Sequence, residues 1–343
     1  MLEQLPALLL PWYDREKRIL PWRADREPYH VWVSEIMLQQ TRVEAVRGYY
    51  RRFLEALPTL EALAACEDDR LNKLWEGLGY YSRARNLKRA ANVLLQEHGG
   101  QFPTDFAALQ TLPGIGAYTA GAICSICFEQ PTPAVDGNVL RVWARLTGSE
   151  QDVTQARTKR AAFEALAAVY PPGRCGDFTQ ALMELGATVC LPNGAPQCAR
   201  CPVRAVCRAC EGERWRTLPV RAEKKPRRHE QRTVLILTFE DACAVRRRPD
   251  EGLLAGLWEL PNVPGALTAQ QALALAEQWN CRPMELTRSS RKQHIFTHIQ
   301  WDMTGYYIRC AAAAPQLEWA DAARMAREIS LPTAFRQFLM DGA

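Results

Sequence analysis

Cys190, Cys198, Cys201 and Cys207 fall within eighteen residues, separated by seven, two and five positions. Thiolates spaced this tightly can all reach one metal centre, which fixes the path of the loop that carries them. The spacing favours an iron–sulfur cluster. Zinc stays open as a second reading, because Cys198 and Cys201 form a Cys-x2-Cys knuckle. The residues before Cys190 read as a long helical stretch.

A chain of 343 residues has room for two or three domains, each with its own core. Twelve cysteines could signal a secreted disulfide scaffold, but five of them sit between Cys190 and Cys210 and the others are scattered singly. A reducing cytoplasm fits that distribution better. The net charge of +5 is a mild bias toward polyanionic partners. The apolar Leu8–Leu10 near the start follows Glu3 rather than a basic segment, so it does not read as a signal peptide. No apolar run approaches the roughly 20 residues a spanning helix needs. A soluble protein of the cytoplasm, without a membrane partner, is expected.

From Leu2 to about Cys210 apolar residues recur at helical spacing, as in Val43, Val46, Tyr50, Phe53 and Leu54, and again in Phe163, Leu166 and Val169. Pro58, Gly99–Gly100, Pro113–Gly116 and Pro171–Gly173 punctuate these runs into many medium helices. Arg221, Lys224, Lys225, Arg227, Arg228 and Arg232 then form a basic run with Pro219 and Pro226, which reads as a solvated linker. Beyond it, Thr233–Phe239 reads as a buried strand and Trp301–Arg309 as a second. Thr268–Trp279 and Trp319–Phe338 contain helical stretches. The expected organisation is a mainly α region over 1–211, a basic linker over 212–231 and a smaller α+β domain over 232–343.

Leu112-Pro113-Gly114-Ile115-Gly116-Ala117-Tyr118-Thr119 joins two helical runs through a Gly-x-Gly turn. Glycines let backbone N–H groups approach an anion, and the next helix points its positive end at the same place. No strand precedes the turn and no Gly-Lys-Ser/Thr follows it, so neither dinucleotide fold nor P-loop fits. The pattern is that of a helix-hairpin-helix, spanning about residues 109–128, which grips a nucleic-acid phosphate.

Two carboxylates stand out. Asp136, just before the amphipathic run that begins at Val139, is by itself most simply a helix N-cap. Glu35 has Val31, Trp32 and Leu38 as its helical neighbours at i−4, i−3 and i+3. A carboxyl on so apolar a face loses solvation and its pKa should rise, which suits a general acid. Were the fold to unite the two, the pair would suit glycosidic-bond chemistry, one acid assisting the leaving group and one carboxylate steadying an oxocarbenium-like centre. In DNA the leaving group is a flipped-out base.

Pro21-Trp22-Arg23, Ser34-Glu35-Ile36-Met37-Leu38-Gln39-Gln40-Thr41, Gly77–Asn86, Leu112–Tyr118, Val135–Val139 and the four cysteines occur in an order that closely resembles the helix-hairpin-helix DNA glycosylases of the MutY adenine glycosylase type. The resemblance runs over essentially the whole chain. It implies a glycosylase of two helical lobes carrying a [4Fe-4S] cluster on Cys190, Cys198, Cys201 and Cys207, followed by a MutT/Nudix-like lesion-recognition domain. It further implies a monomer in the bacterial cytoplasm that removes adenine mispaired with 8-oxoguanine or guanine in double-stranded DNA. Glu35 would protonate adenine, Asp136 would stabilise the sugar cation, and Tyr118 and Asn138 would line the pocket. Trp22 and Arg23 would hold the extruded base, and Gln40 and Tyr80 would wedge the duplex. Thr41, Arg83, Arg85, Gly114 and Gly116 belong to the same DNA-contacting blocks. Related glycosylase/lyases carry a Schiff-base Lys where Tyr118 stands, so base removal without strong strand cleavage is expected.

This chain departs from the family pattern twice. The first cysteine gap is seven rather than six, and Cys210, just past Cys207, offers a further thiol. The lesion-reading loop, Phe-Ser-His in the family, reads Phe296-Thr297-His298; without the resemblance His298 would be a strand-end histidine. Gly256–Pro261 resembles the entry to a nucleotide-hydrolase fold, but no acidic metal-binding box follows, so a binding domain without hydrolase activity is expected. The competing readings are an iron–sulfur nucleic-acid-binding regulator without catalysis and a nucleotide-sanitising hydrolase built on the tail.

Overall fold

The computed structural model describes residues 1–223 and 226–340. The chain divides into two compact units, one of Met1–Ala65 with Arg85–Glu223 and one of Cys66–Ala84 with Lys224–Ala343.

The described residues of the first unit carry helices and turns without strands. Its helices are α1 (Leu5–Glu16), α2 (Pro28–Leu38), α3 (Val43–Ala56) and α4 (Leu60–Ala65). After α5 (Asp68–Trp75), which belongs to the second unit, come α6 (Ser82–Glu97), α7 (Phe106–Thr111), α8 (Ala117–Phe128), α9 (Gly137–Thr147), α10 (Ala156–Ala167) and α11 (Cys175–Thr188). The Pro and Gly positions named above fall between helices, where they end hydrogen-bonded runs.

α8 is apolar nearly all round, and Thr119–Ile126 are all buried. A helix of that kind must be covered on several sides; α2, α7 and α11 pack against it. Gly121 permits the tightest approach. A Cβ there would stand 2.2 Å from the carbonyl oxygen of Pro133, so only glycine lets the strand-like segment leading to Asp136 lie against α8. In the hairpin between α7 and α8, Gly114 has φ +77° and a Cβ would meet that of Asn86 at 2.7 Å. α9 starts at Asp136, whose side chain caps it, and ends at Gly148 in the left-handed region.

The second unit is a sheet with both faces covered. Its strands are β1 (Arg228–Phe239), β2 (Ala242–Arg247), β3 (Trp258–Glu259), β4 (Asn262–Pro264), β5 (Pro283–Ile295), β6 (Ile299–Cys310) and β7 (Glu318–Ala320), in the order β3-β2-β1-β6-β5 with β4 on β1 and β7 on β2. β1 and β6 run parallel, in register from Arg228 opposite Ile299 to Thr238 opposite Arg309; the remaining pairs are antiparallel. Alternate residues of β1 serve opposite cores. Val234 and Ile236 pack with Trp301, Phe335 and Phe338, whereas Leu235 and Leu237 pack with Ala272, Ala276 and Ile308. That is why Thr233–Phe239 is continuously apolar rather than alternating. α12 (Ala269–Gln278), held by a Thr268–Gln271 capping box, covers the second face, and α14 (Thr333–Leu339), after α13 (Ala322–Arg327), covers the first.

Two sequence expectations differ from this arrangement. Cys66–Ala84, expected in the N-terminal helical region, packs within the second unit because its polar groups are satisfied there. Lys73 Nζ donates to the carbonyls of Met325 and Ile329 at 3.1 and 3.0 Å, and Leu331 N–H donates to Glu76 at 2.9 Å. The basic run is not a free linker over 212–231. The Val220 and Leu218 carbonyls accept from Val153 N–H and Arg145 Nε at 3.0 and 2.9 Å, and from Arg228 onward the chain is β1. Lys224 and Lys225 lie outside the described residues. Trp319–Phe338 does contain helical stretches, α13 and α14, with Trp319 itself in β7.

Candidate active site

The fold brings Glu35, Tyr118, Asp136 and Asn138 together in the first unit. Glu35 sits in the middle of α2, a helix buried from Val31 to Met37, and is only 5% exposed. Tyr118 lies in the first turn of α8 and donates its hydroxyl proton to Oε2 of Glu35. Asp136 precedes α9; Oδ1 accepts from Val139 N–H at 2.7 Å and Oδ2 from the Asn138 amide at 2.8 Å. The N-cap reading of Asp136 therefore holds, and it coexists with a place beside Glu35.

Local chemistry separates the two acids. Burial pushes Glu35 up to about 7; the Tyr118 hydrogen bond opposes this, the Asp136 charge adds to it, and Arg23 opposes it. Burial also raises Asp136, but Val139 N–H, the Asn138 amide and backbone, and Arg141 all favour its ionised form. Asp136 thus carries donors suited to a carboxylate, whereas Glu35 has the environment of an acid that holds its proton near neutrality. Tyr118 is raised well above the usual phenol range, by burial and then by the charges of Glu35 and Asp136, so it stays a neutral donor.

Trp22 is buried with its ring edge-on to Tyr50, centroids 5.6 Å apart. Arg23 Nη2 donates to Oε2 of Glu184 at 2.8 Å. Glu184, absent from the sequence-based candidates, is fully buried in α11 and also accepts from Arg18 Nε at 2.6 Å. Burial raises the Glu184 carboxyl, but the bonds from Arg18 and Arg23 outweigh it and hold the group below its ordinary value. Glu184 stands in the apolar run Ala181-Leu182-Met183-Glu184-Leu185, the same signal that singled out Glu35. Arg141 is the second omission. Buried in α9, it donates from Nη2 to Asn138 Oδ1 at 2.9 Å and to the Gly186 carbonyl at 2.7 Å, and from Nε to the Cys190 carbonyl at 2.8 Å. A continuous hydrogen-bonded path therefore runs from the backbone of Cys190 through Arg141 and Asn138 to Asp136.

Cys190, Cys198, Cys201 and Cys207 line one small cavity together with Cys210, Arg145 and Trp215. Arg145 is buried, and its Nη1 lies 3.3 Å from the Cys190 sulfur, a cation suited to thiolate charge. Among the described residues no three His, Cys, Asp or Glu side chains are gathered as for a single metal ion. The five cysteines that line the cavity supply an all-thiol donor set, which fits an iron–sulfur cluster.

The remaining candidates divide. Gly114 and Gly116 form the turn ahead of α8. Gln40 is exposed at φ 57°, and Thr41, just past the end of α2, donates to the Gln39 carbonyl at 3.3 Å. In the second unit Tyr80 has φ 48° and is 46% exposed. A bulky residue in the left-handed region costs of order 1–3 kcal/mol, and such strain gathers at functional sites. Arg83 differs from the expectation of a DNA-facing cation. It is buried, it donates to the Leu78 and Gly79 carbonyls at 3.1 Å each, and it braces the turn that carries Tyr80. Arg85 is half-buried at the start of α6. Between β5 and β6, Phe296 anchors its loop edge-on against Trp301 at 4.8 Å, leaving Thr297 and His298 exposed. Thr297 Oγ1 lies 3.1 Å from the Tyr80 hydroxyl.

Residues 33–168 match the family of HhH-GPD superfamily base excision DNA repair proteins, and residues 232–341 match the NUDIX domain. The adenine DNA glycosylase of Mus musculus is 37% identical, over 96% of this chain and 77% of that protein. A thermostable thymine-DNA glycosylase structure is 28% identical with a TM-score of 0.56, covering 61% of this chain and 97% of that one. An endonuclease III–DNA complex shares the fold at 24% identity, with a TM-score of 0.53 over 63% of this chain and 99% of that one. The chain belongs to the adenine DNA glycosylase family.

Proposed function

We propose that this enzyme hydrolyses the N-glycosidic bond of adenine mispaired with 8-oxoguanine or guanine in double-stranded DNA, without strong strand cleavage. The observation that carries the reading is the buried Glu35, poised near pH 7 beside a hydrogen-bonded Asp136. Glu35 gives its proton to a ring nitrogen of the flipped adenine as the bond to the sugar breaks, the bonding electrons leaving with the base. Asp136 faces the sugar cation with its charge, and a water completes the hydrolysis. Tyr118 holds the Glu35 carboxyl in place. Because Tyr118 occupies the position where a lyase needs an amine, no Schiff base forms there.

Phosphates at the hairpin turn would meet the backbone of Gly114 and Gly116, and Thr297 and His298 are the exposed groups for reading the opposite lesion. Cys190, Cys198, Cys201 and Cys207 would hold a [4Fe-4S] cluster, which when bound pins the loop from 190 to 207 without entering the hydrolysis. Arg204, exposed in that loop, is then available to phosphates. The same reading puts the enzyme with DNA in the bacterial cytoplasm, as a monomer, which the thiol-rich loop supports.

The test is base release from duplexes carrying adenine opposite 8-oxoguanine, guanine, cytosine or thymine, with and without alkali. Release opposite 8-oxoguanine and guanine, with strand scission only after alkali, is expected. Equal release from all four, or scission without alkali, would count against the reading.

A further inference from the structure

Cys210 completes a second knuckle. Residues 198–201 read Cys-Ala-Arg-Cys, and residues 207–210 read Cys-Arg-Ala-Cys. Both close the same turn: Cys201 N–H donates to the Cys198 carbonyl and Cys210 N–H to the Cys207 carbonyl, each at 3.2 Å. Each turn brings the ends of its Cys-x2-Cys pair back together, and both cysteines of each pair line the cavity. All five cysteines line one cavity. Cys190 enters differently, directly after α11, with its N–H on the Leu185 carbonyl at 2.7 Å. Two overlapping four-thiol sets therefore serve the cavity: Cys190 with Cys198, Cys201 and Cys207, and the two knuckles alone.

We propose that Cys210 is a reserve cluster ligand, able to replace Cys190. This rests on the cluster reading given above. In the exchange the Cys210 thiol would release its proton to solvent and its sulfur would take the ligand position of Cys190, whose own bond to iron would break and whose freed thiolate would take up a proton. Thiolate replaces thiolate, so no oxidant or reductant is consumed. The seven-residue first gap gives the exchange its context, since the Cys190 arm is joined to the first knuckle by the longest connection in the set.

The experiment compares full-length wild type, Cys190→Ser, Cys210→Ser and the double variant. Its readouts are iron and acid-labile sulfide per chain, visible absorption, and the sites alkylated by iodoacetamide under native conditions. Cys190→Ser and Cys210→Ser should each keep more than about half of the wild-type iron, and the double variant should fall about fivefold or more below either. Alkylation should reach Cys210 in the wild type and be blocked in Cys190→Ser. Equal depletion in Cys190→Ser and the double variant, or unchanged alkylation of Cys210, overturns the proposal. So does failure of Cys190→Ser to fold while Cys210→Ser folds and holds iron, because a working reserve would have rescued it. Wild-type protein that binds zinc, or neither iron nor sulfide, instead sinks the cluster reading itself and this proposal with it.

Discussion

The Tyr118 hydroxyl donates directly to Oε2 of Glu35, joining α8 to α2 at the one buried acid of the site that has a single phenolic donor for its charge. Asp136, by contrast, is held by a backbone N–H and an amide. This asymmetry is what lets two neighbouring carboxyl groups take different protonation states near neutrality.

Glu35→Gln should retain duplex binding while base release falls by at least about 100-fold, the usual contribution of a positioned acid. The same variant should be more stable than wild type at alkaline pH. Native Glu35 holds its proton up to about 7, against an ordinary value of 4.5. Between these values the native state binds more protons than the unfolded chain, so wild-type stability falls as pH rises from 4.5 and levels off above 7. The full difference is as much as about 3 kcal/mol. Denaturant melts at acidic and alkaline pH, paired with single-turnover assays, check both halves; turnover close to wild type would end the acid assignment.

The rate should rise with pH as Asp136 ionises and fall above about 7 as Glu35 loses its proton. Tyr118→Phe removes a hydrogen bond that holds Glu35 down, so the alkaline limb should move to higher pH. Single-turnover rates against pH for both proteins decide this. A limb that stays fixed, or moves down, contradicts the role given to Tyr118.

Arg141→Gln should cost about 2 kcal/mol of stability, because it strips hydrogen bonds from the half-buried Asn138 side chain and from the Cys190 and Gly186 carbonyls. Base release should also drop, since Asn138 loses the partner that aims it at Asp136. Arg141→Lys should not rescue either property, because an ammonium lacks the fork that reaches all three acceptors. Full activity in Arg141→Lys would argue for charge alone.

Gly121→Ala should destabilise the first unit by about 2 kcal/mol, as overpacking does. The added Cβ would sit 2.2 Å from the Pro133 oxygen and push the segment ahead of Asp136 off α8. Asp136 should shift relative to Glu35, and turnover should fall more than duplex binding. Equal loss of both would point to general unfolding, which a thermal melt distinguishes.

Much of the local structure is legible in the sequence. The apolar neighbours of Glu35 announced a buried acid, because helical spacing fixes which side chains share a face. Asp136 ahead of an amphipathic run announced an N-cap, and Leu112–Thr119 announced the hairpin. Other features were hidden for a physical reason. Arg83 reads as a cation in a basic block, yet it is turned inward by carbonyls of its own turn. β5 carries mixed polar and charged residues, with little of the alternation that marks a half-buried strand, and is defined mainly by its pairing with β6. Cys66–Ala84 has helical character, but its partners Met325, Ile329 and Leu331 lie far along the chain.

The sequence alone determined which residues could do acid chemistry, bind metal or close a turn, because those properties depend on side-chain type and on neighbours a few positions away. Tertiary structure decided which of them act together. Only folding sets Glu35 against Tyr118, links Cys190 to Asp136 through Arg141, and buries Glu184 between Arg18 and Arg23. Such contacts join segments far apart in the chain, and their strength comes from exclusion of water, which no local pattern encodes.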